Sequence, residues 1–383
     1  MKFVRNILDK VAPKFENGGK LEKYYPLYEM ADTFMFTPDD VTDKGPHVRD
    51  AVDLKRSMII VVLAMLPAFL FGLFNIGYQE DASRTVMENM LVGLYATLPI
   101  LLVSYGVGGF WEVLFAVVRK HEINEGFLVT GFLIPMIVPP TTPLWMVAVA
   151  TSFGVVIGKE IFGGTGYNIF NPALVARAFL FFAYPSAISG DSVWTVVDGV
   201  SKATPLAVAA ASENVGGVSA LIQNNYSLSE LFYGFVPGSI GETSTLAILI
   251  GAFILIITKV ANWRIMAGIV IGMTGIALLT NLLAGISTNP MMDLTPQYHF
   301  VLGGFAFGMV FMATDPVSAS QCDAGRWIYG ILVGALVVII RSMNPAFPEG
   351  MMLAILLGNA FSPMIDYIVV RKHIKRRQSR NAQ

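Results

Sequence analysis

Long runs without a charged residue constrain this chain more than any other feature of its sequence. The segment 57–77 contains no Asp, Glu, Lys or Arg, and about 20 such residues are what a helix needs to cross the hydrocarbon core of a bilayer. Similar runs recur along the chain, and only 14% of its 383 residues are charged, against about 25% in an average soluble domain. The pattern predicts an all-α membrane protein that crosses the bilayer many times.

About ten apolar segments can be separated. They are predicted near residues 57–77, 89–118, 127–138, 144–159, 171–183, 244–258, 265–285, 300–314, 327–340 and 350–370. The chain is thereby divided into a cytoplasmic arm (1–56), a first membrane repeat (57–184), an external loop (185–243), a second membrane repeat (244–370) and a basic tail (371–383).

The two membrane segments match each other in order. In the first, a half-length helix breaks at Pro139-Pro140 and a later helix begins at Asn171-Pro-Ala173; in the second, the break is at Thr314-Asp-Pro316 and the later helix begins at Asn344-Pro-Ala346. Helix capping alone would explain either Asn-Pro-Ala triplet, but the recurrence indicates a repeat. Because each half has five spans, the copies must be inverted, a design that places a site near the midplane between broken helices.

The basic residues are distributed unevenly. With ten spans, 22 of the 26 Lys and Arg lie on the side of the termini, Arg84, Lys202 and Arg341 lie on the other side, and Arg177 lies within the membrane. The positive-inside rule therefore places both termini in the cytoplasm and the large loop outside. The net charge of −1 provides no general positive field for nucleic acid.

The content of Cys and His limits the redox chemistry. A single cysteine, Cys322, excludes a disulfide within the chain and a self-contained iron–sulfur cluster, which takes about four thiolates. The four histidines lie far apart in the sequence, so neither a haem held within this chain nor another metal site is expected. If electrons pass through this chain, an organic cofactor must carry them.

Charged residues inside the apolar segments are candidates for function, because each is costly in hydrocarbon. Glu112, Asp315 and Asp366 are predicted to belong to an ion path, with Asp315 at the break of the second repeat. Asp366 could instead be a carboxylate at the membrane interface. Arg177 could pair with an acid or with a phosphate group.

The external loop contains Asp198-Gly-Val-Ser-Lys-Ala-Thr204, which on its own is a turn with hydroxyl side chains. The segment resembles a flavinylation site of the form Asp-Gly-x-Ser/Thr-Gly-Ala-Thr, whose last threonine carries FMN through a phosphoester bond. By this resemblance Thr204 is the attachment residue, and Asp198 and Ser201 belong to the site. Lys202 stands where glycine is usual, a departure that could alter recognition by the flavin transferase.

Segments along nearly the whole chain resemble NqrB, the B-type subunit of the sodium-translocating NADH:quinone oxidoreductase. They are Tyr25-Pro-Leu-Tyr-Glu-Met30, His47-Val-Arg-Asp-Ala-Val-Asp-Leu-Lys-Arg56, Gly108-Gly-Phe-Trp-Glu-Val-Leu-Phe115, Asn124-Glu-Gly-Phe127, Gly163-Gly-Thr-Gly-Tyr-Asn168, Asn171-Pro-Ala-Leu174 and Met312-Ala-Thr-Asp-Pro-Val-Ser318. A sister family, the RnfD subunit of the Rnf complex, shares the repeat and the flavinylated threonine. The long arm with its Tyr-Pro-Leu-Tyr-Glu segment favours the quinone reductase.

The resemblance implies a subunit of a six-subunit respiratory pump in the bacterial inner membrane. Electrons would pass from a covalent FMN on another subunit to the FMN on Thr204, then to riboflavin and to a quinone, coupled to sodium export. Asn168 and Asn171 match the residues that flank the riboflavin, although capping alone would also explain them. Gly108, Gly109 and Glu29 match the quinone site, and ordinary helix packing is the alternative for the two glycines.

Two other classes of protein stay open from the residues alone. The Asn-Pro-Ala triplets are also found in water channels, and a five-plus-five inverted repeat is also typical of urea channels, so a passive channel or transporter is the main alternative. A scaffold subunit without redox function is the second. Covalent flavin on Thr204 would distinguish the redox subunit from both.

Overall fold

A computed structural model describes residues 2–15, 19–36, 44–45, 54–121, 123, 126–191, 193–195, 202–212, 215–343 and 348–381. Within these ranges the regular secondary structure is helical, and no strand occurs. Asp198, Ser201 and the second Asn-Pro-Ala triplet lie outside the described residues. What the sequence predicts for them therefore stays a prediction.

Seventeen α-helices lie in the described part of the chain. They are α1 (Lys2–Phe15), α2 (Tyr25–Met35), α3 (Leu54–Glu80), α4 (Val86–Arg119), α5 (Gly126–Met136), α6 (Leu144–Val156), α7 (Pro172–Ala183), α8 (Pro185–Ile188), α9 (Pro205–Ala211), α10 (Gly217–Gln223), α11 (Leu228–Tyr233), α12 (Thr245–Ile257), α13 (Trp263–Leu283), α14 (Pro296–Val301), α15 (Phe305–Phe307), α16 (Asp323–Met343) and α17 (Met351–Asn381). Helix α15 continues as a π-helical segment, Gly308–Met312, and the two together are called the broken helix.

Several helices are long and apolar enough to cross a membrane. Six candidate spans coincide with α3, α4, α6 extended to Phe162, α13, α16 and α17, and three shorter apolar helices are α5, α7 and α12. Together with the broken helix, these elements correspond one by one to the ten predicted segments. The prediction of an all-α polytopic membrane protein is therefore confirmed.

The order of the helices produces the predicted inverted repeat. One cavity, here called the Asn168 cavity, is lined by Leu54 at the start of α3 and by Leu255 near the end of α12. The same cavity is lined by Gly126 at the start of α5 and by Thr314 just after the broken helix. The first and third elements of the two halves therefore run in opposite directions relative to this cavity.

Proline and asparagine explain where the short helices begin and end. Pro139, Pro140 and Pro143 follow α5, and because proline lacks a backbone N–H it disfavours continuation of the helix. Asn171 precedes α7, and its Oδ1 accepts hydrogen bonds from the backbone N–H groups of Ala173 at 3.0 Å and Leu174 at 3.4 Å. The predicted helix start at Asn171 is thus confirmed.

Two regions differ from the segments read from the sequence. The loop 185–243 contains the short helices α8 to α11, and apolar residues of α9, α10 and α11 join Met291 and Leu294 in a small separate core. These helices have four to seven residues, too few to show a clear period of 3.6. The basic segment from residue 371 is not set apart from the last span, because α17 continues as one helix to Asn381.

Candidate functional site

Thr204 lies at the N-terminal end of α9. Its Oγ1 accepts a hydrogen bond from the backbone N–H of Ala207 at 3.2 Å, and Pro205 occupies the first helical position. The threonine therefore caps the helix. Because the oxygen accepts in this contact, an ester oxygen at the same position could still do so.

A cavity lies directly beside Thr204 and is here called the Thr204 cavity. Its wall includes two aromatic side chains, Phe181 and Trp194, and several aliphatic ones. The buried hydroxyl of Thr243 also lines it, and this Oγ1 has no hydrogen-bond partner among the described residues. An unpaired buried polar atom beside aromatic walls fits a flat heterocycle with polar edges.

Arg177 provides a charged wall for the Thr204 cavity. Its Nη1 donates to Glu242 Oε1 at 2.6 Å, and its Nη2 donates to both carboxylate oxygens of Glu349 at 2.7 and 2.8 Å. All three residues line the cavity. The sequence indicated an acid or a phosphate as the partner of Arg177, and the structure shows two acids.

Neither Glu242 nor Glu349 was recognised from the sequence as a site residue. Glu242 lies in the predicted polar loop just before α12, and Glu349 lies just before α17. Arg341, predicted on the outer side, is fully buried in α16. The signal that could have found them is charge balance, since a buried Arg177 requires an acidic partner.

The Asn168 cavity has a volume of about 650 Å³ and lies at the other end of α7. It brings together Asn168 and Asn171, which were predicted to flank a riboflavin, with Asp315, which was predicted to belong to an ion path, and it adds Lys159. The Nδ2 of Asn168 donates to the carbonyl oxygen of Phe170 at 3.0 Å. Asn171 uses its Oδ1 to cap α7, so its amide N–H groups can be offered to the cavity while Asn168 can offer an oxygen.

Asp315 follows the broken helix, at the break that the sequence predicts. Its Oδ1 accepts from the backbone N–H of Val317 at 3.1 Å and its Oδ2 accepts from the Ser318 hydroxyl at 2.8 Å. Among the described residues no cation lies within ion-pair distance of this carboxylate. The carboxylate thus caps a turn and also borders the Asn168 cavity.

Glu112 belongs to a buried network at one end of α4. Its carboxylate pairs with the ammonium group of Lys159, and both side chains are at most 6% exposed. Lys159 also lies 3.5 Å from Glu160, whose other oxygen pairs with Arg119 at 3.1 Å. The sequence only counted Lys159 among the Lys and Arg on the side of the termini; the structure shows that its side chain is buried and that a partner 47 residues earlier compensates its charge.

The residues predicted for a quinone site lie on two elements. On α4, a Cβ added to Gly108 would collide with the ring of Phe127, whereas a Cβ added to Gly109 would meet nothing within 4 Å. The packing alternative therefore accounts for Gly108 and not for Gly109. Glu29 lies on α2, 3.8 Å from Lys55 at the start of α3, and α2 packs against α4.

Asp366 is turned towards the segment that precedes α16. Its carboxylate accepts from the Ser320 hydroxyl at 2.6 Å and from the backbone N–H groups of Gln321 at 2.7 Å and Cys322 at 3.0 Å. Three hydrogen bonds to a carboxylate are a strong anchor. Its place in an ion path stays a prediction.

Residues 41–375, most of the chain, match the NQR2, RnfD, RnfE family. The chain belongs to this family. The resemblance carried by its motifs is thereby confirmed.

Relatives within the family align over almost the full length of the chain. The B-type subunit of the Na(+)-translocating NADH-quinone reductase of Ectopseudomonas mendocina (strain ymp) is 53% identical, with 99% of each chain covered. The protein of the same name from Azotobacter vinelandii is also 53% identical over 99% of each chain. That from Klebsiella pneumoniae (strain 342) is 52% identical, over 98% of this chain and 99% of its own length.

Proposed function

We propose that this chain is the NqrB membrane subunit of a sodium-translocating NADH:quinone reductase, and that it carries FMN on Thr204 and riboflavin in the Asn168 cavity. The observation that carries the proposal is the placement of Thr204 and of the Asn168–Asn171 pair on two cavities at opposite ends of α7. Full-length similarity to relatives of that name supports it. A flavin bound at each cavity would supply the electron-transfer chemistry that the side chains lack.

The residues around Thr204 fit an esterified FMN. The hydroxyl lies on the cavity wall, and the covalent bond would keep the cofactor from leaving an open site. Phe181 and Trp194 provide aromatic surface for a flat ring, while the unpaired Thr243 hydroxyl can hydrogen-bond a polar edge. Asp198 and Ser201 are proposed as parts of the segment that the flavin transferase recognises.

The residues of the Asn168 cavity fit a riboflavin. Amide groups of Asn168 and Asn171 can donate to and accept from the edge of the ring, and the N-terminus of α7 offers a partial positive charge. Apolar residues such as Leu133 and Phe311 complete the wall. A riboflavin here would lie beside Asp315 and Lys159, within the same cavity.

The remaining parts of the proposal concern quinone, sodium and location. Quinone is proposed to bind near Gly109 and Glu29, and sodium to follow a path that includes Glu112, Asp315 and Asp366. The chain is proposed to work with the other subunits of a six-subunit complex in the bacterial inner membrane. Both termini would be cytoplasmic, with the Thr204 segment outside.

The alternatives predict other chemistry. A channel of the urea type would need no threonine on a cavity wall and no flavin. The RnfD subunit of an Rnf complex shares the family, but the full-length relatives given above carry the name of the quinone reductase. That agreement over the whole chain favours the quinone reductase.

The test is whether the chain carries covalent flavin when the whole complex is produced together with a flavin transferase. In-gel flavin fluorescence under denaturing conditions and mass spectrometry of the Thr204 peptide should show an FMN adduct in the wild type. Thr204→Val should remove the adduct, because valine has the same shape without the hydroxyl. Ser212→Ala, at the other end of α9, should keep it. An unmodified wild-type chain would refute the proposal.

A further inference from the structure

Four charged side chains lie beside the Thr204 cavity and join the two halves of the molecule, and three of them, Arg177, Glu242 and Arg341, are buried. Arg177 on α7 pairs with Glu242 and Glu349, as described above. Arg341 on α16 donates from Nη1 to the carbonyl oxygen of His299 at 2.8 Å, from Nη2 to that of Leu302 at 2.7 Å and from Nε to that of Glu349 at 3.0 Å. The charges of the two guanidinium groups and the two carboxylates cancel when all four groups are ionised.

The two carboxylates are close neighbours. A Cβ added to Gly304 would lie 2.5 Å from an oxygen of Glu242 and 3.1 Å from an oxygen of Glu349. Both acids therefore converge on one point next to the broken helix and share the guanidinium of Arg177. Neighbouring carboxylates disfavour each other's ionisation, so one of the two is the first to take up a proton.

Glu242 is the member placed to do so. It lies outside the membrane-spanning helices, and its side chain is 7% exposed against 21% for Glu349. Burial raises the pKa of the Glu242 carboxyl; Arg177 opposes this rise and Glu349 adds to it. The other charged or titratable groups of this cluster, among the described residues, are Arg341 and His299, whose Nδ1 lies 3.4 Å from the Arg341 guanidinium.

The same cavity holds the hydroxyl proposed to carry the flavin, so an electron entering that flavin adds negative charge beside these carboxylates. At low dielectric the added charge interacts strongly with the nearby acids. We propose that Glu242 takes up a proton when the flavin on Thr204 is reduced, and thereby links the redox state of the Thr204 cavity to the pH of the solution. This inference rests on the proposed function, since it requires the flavin.

The step balances with the groups already named. One electron comes from NADH through the other subunits, and one proton comes from solution to a carboxylate oxygen of Glu242. The only bond formed is that O–H bond, and it breaks again when the flavin is reoxidised. Glu349, the more exposed acid of the pair, borders the cavity and provides a route for the proton.

The test measures the midpoint potential of the covalent flavin against pH in the assembled complex, by spectroelectrochemical titration. In the wild type the potential should rise as the pH falls, by up to about 59 mV per pH unit, which is a tenfold change in a one-electron equilibrium. Glu242→Gln should raise the potential at alkaline pH, because a negative charge is removed, and should flatten the slope. Asp81→Asn, at an exposed position in the α3–α4 connection, should behave as the wild type.

A second readout identifies the protonated group directly. Reduction-minus-oxidation infrared spectra of the wild type should show the carbonyl band of a newly protonated carboxylic acid, and Glu242→Gln should lack it. If Glu242→Gln does not assemble, Glu349→Gln serves: loss of the neighbouring negative charge should move the pH-dependent region to lower pH.

The outcomes separate this inference from the proposed function. A wild-type chain without covalent flavin would refute the proposed function itself. A flavinylated complex whose potential has the same pH slope in Glu242→Gln as in the wild type would overturn only the inference. A wild type whose flavin potential does not change with pH would also overturn it.

Discussion

Lys202 is bound to Gln79 at the end of α3: its Nζ donates to the Gln79 backbone carbonyl at 2.8 Å and to the side-chain Oε1 at 3.2 Å. The last carbonyls of a helix lack partners within it and carry a partial negative charge, so an ammonium group is well placed there. Gln79 in turn donates to Asn75, whose Nδ2 donates to the carbonyl of Val236 on the Thr204 cavity. A lysine where the similar motif has glycine thus fastens the segment that is proposed to be flavinylated to α3.

The first prediction concerns this anchor. Lys202→Met keeps most of the side-chain length but removes the charged donor, and a hydrogen bond of this kind contributes about 1 kcal/mol at a half-exposed site. Hydrogen–deuterium exchange of the peptide containing 202–211 should therefore speed up about fivefold in the assembled complex. Lys202→Arg, which keeps a cationic donor, is the matched control. Equal exchange in Lys202→Met and the wild type would show that the contact does not hold the segment.

Much of the fold could be predicted because its signals are local. Length and absence of charge locate the spans, proline marks the break after α5, and Asn171 marks the start of α7. The short helices α9 to α11 give no comparable signal, since six or seven residues cover less than two turns. Likewise, the continuation of α17 through the basic tail could not be predicted. Lysine and arginine are good helix formers both in a separate tail and in a continuation of the last span, so they do not distinguish the two.

The candidate site could be predicted only residue by residue. The motifs pointed to Thr204, Asn171 and Asp315 singly, but that Asn171 and Asp315 share a cavity depends on how the two inverted halves pack. The pairing of Lys159 with Glu112 could not be predicted, because the two residues are 47 positions apart in the sequence. Glu242 and Glu349 were missed because polar residues in connections are usually exposed, and only Arg177 makes them necessary.

The second prediction compares the two adjacent glycines of α4. Gly108→Ala would force a methyl group against the Phe127 ring, and overpacking of this kind costs about 1–3 kcal/mol. Gly109→Ala meets no neighbour and should leave the thermal stability of the purified complex unchanged. If quinone binds next to Gly109, the methyl group that Gly109→Ala adds should raise the KM for quinone. Equal thermal stabilities of the two variants would contradict the assigned packing of Gly108.

The third prediction concerns the buried pair of Glu112 and Lys159. Lys159→Met leaves a buried carboxylate without its main partner, and Glu112→Gln leaves a buried ammonium group with Glu160 at 3.5 Å and the Thr165 hydroxyl at 3.2 Å. Each single change should cost about 3–5 kcal/mol, whereas the double variant should be more stable than the sum of the two predicts. Thermal unfolding of the complex in detergent measures this cycle. If the loss of stability in the double variant equals the sum of the losses in the two single variants, the two charges are not coupled.

The fourth prediction concerns orientation. The distribution of Lys and Arg predicts that residues 185–243 lie outside and that both termini lie in the cytoplasm. A reporter that is active only outside the cytoplasm should work when inserted within 215–227, a described part of this loop, and should be silent when fused after residue 375. The reverse pattern would overturn the orientation and, with it, the external position of Thr204.

The last prediction concerns Asp315, which caps a turn and also borders the cavity proposed for riboflavin. Backbone carbonyls at the end of a broken helix lack helical partners and can face an ion, and a hard cation such as sodium prefers oxygen ligands. An ionised carboxylate at this depth needs a cation, because an unpaired charge in hydrocarbon costs several kcal/mol. Asp315→Asn keeps the size and an oxygen that can accept from Val317, but it removes the charge.

We expect Asp315→Asn to raise the half-saturating sodium concentration for NADH-driven quinone reduction by about tenfold, the loss of roughly 1.4 kcal/mol of binding free energy. Covalent flavin on Thr204 should be unaffected, because Thr204 and Asp315 border different cavities. Asp323→Asn is the matched control: it makes the same chemical change at an exposed acid at the start of α16, and it should leave the sodium dependence unchanged. If Asp315→Asn shows wild-type turnover and the wild-type sodium dependence, the carboxylate serves only to cap the turn at Val317 and Ser318.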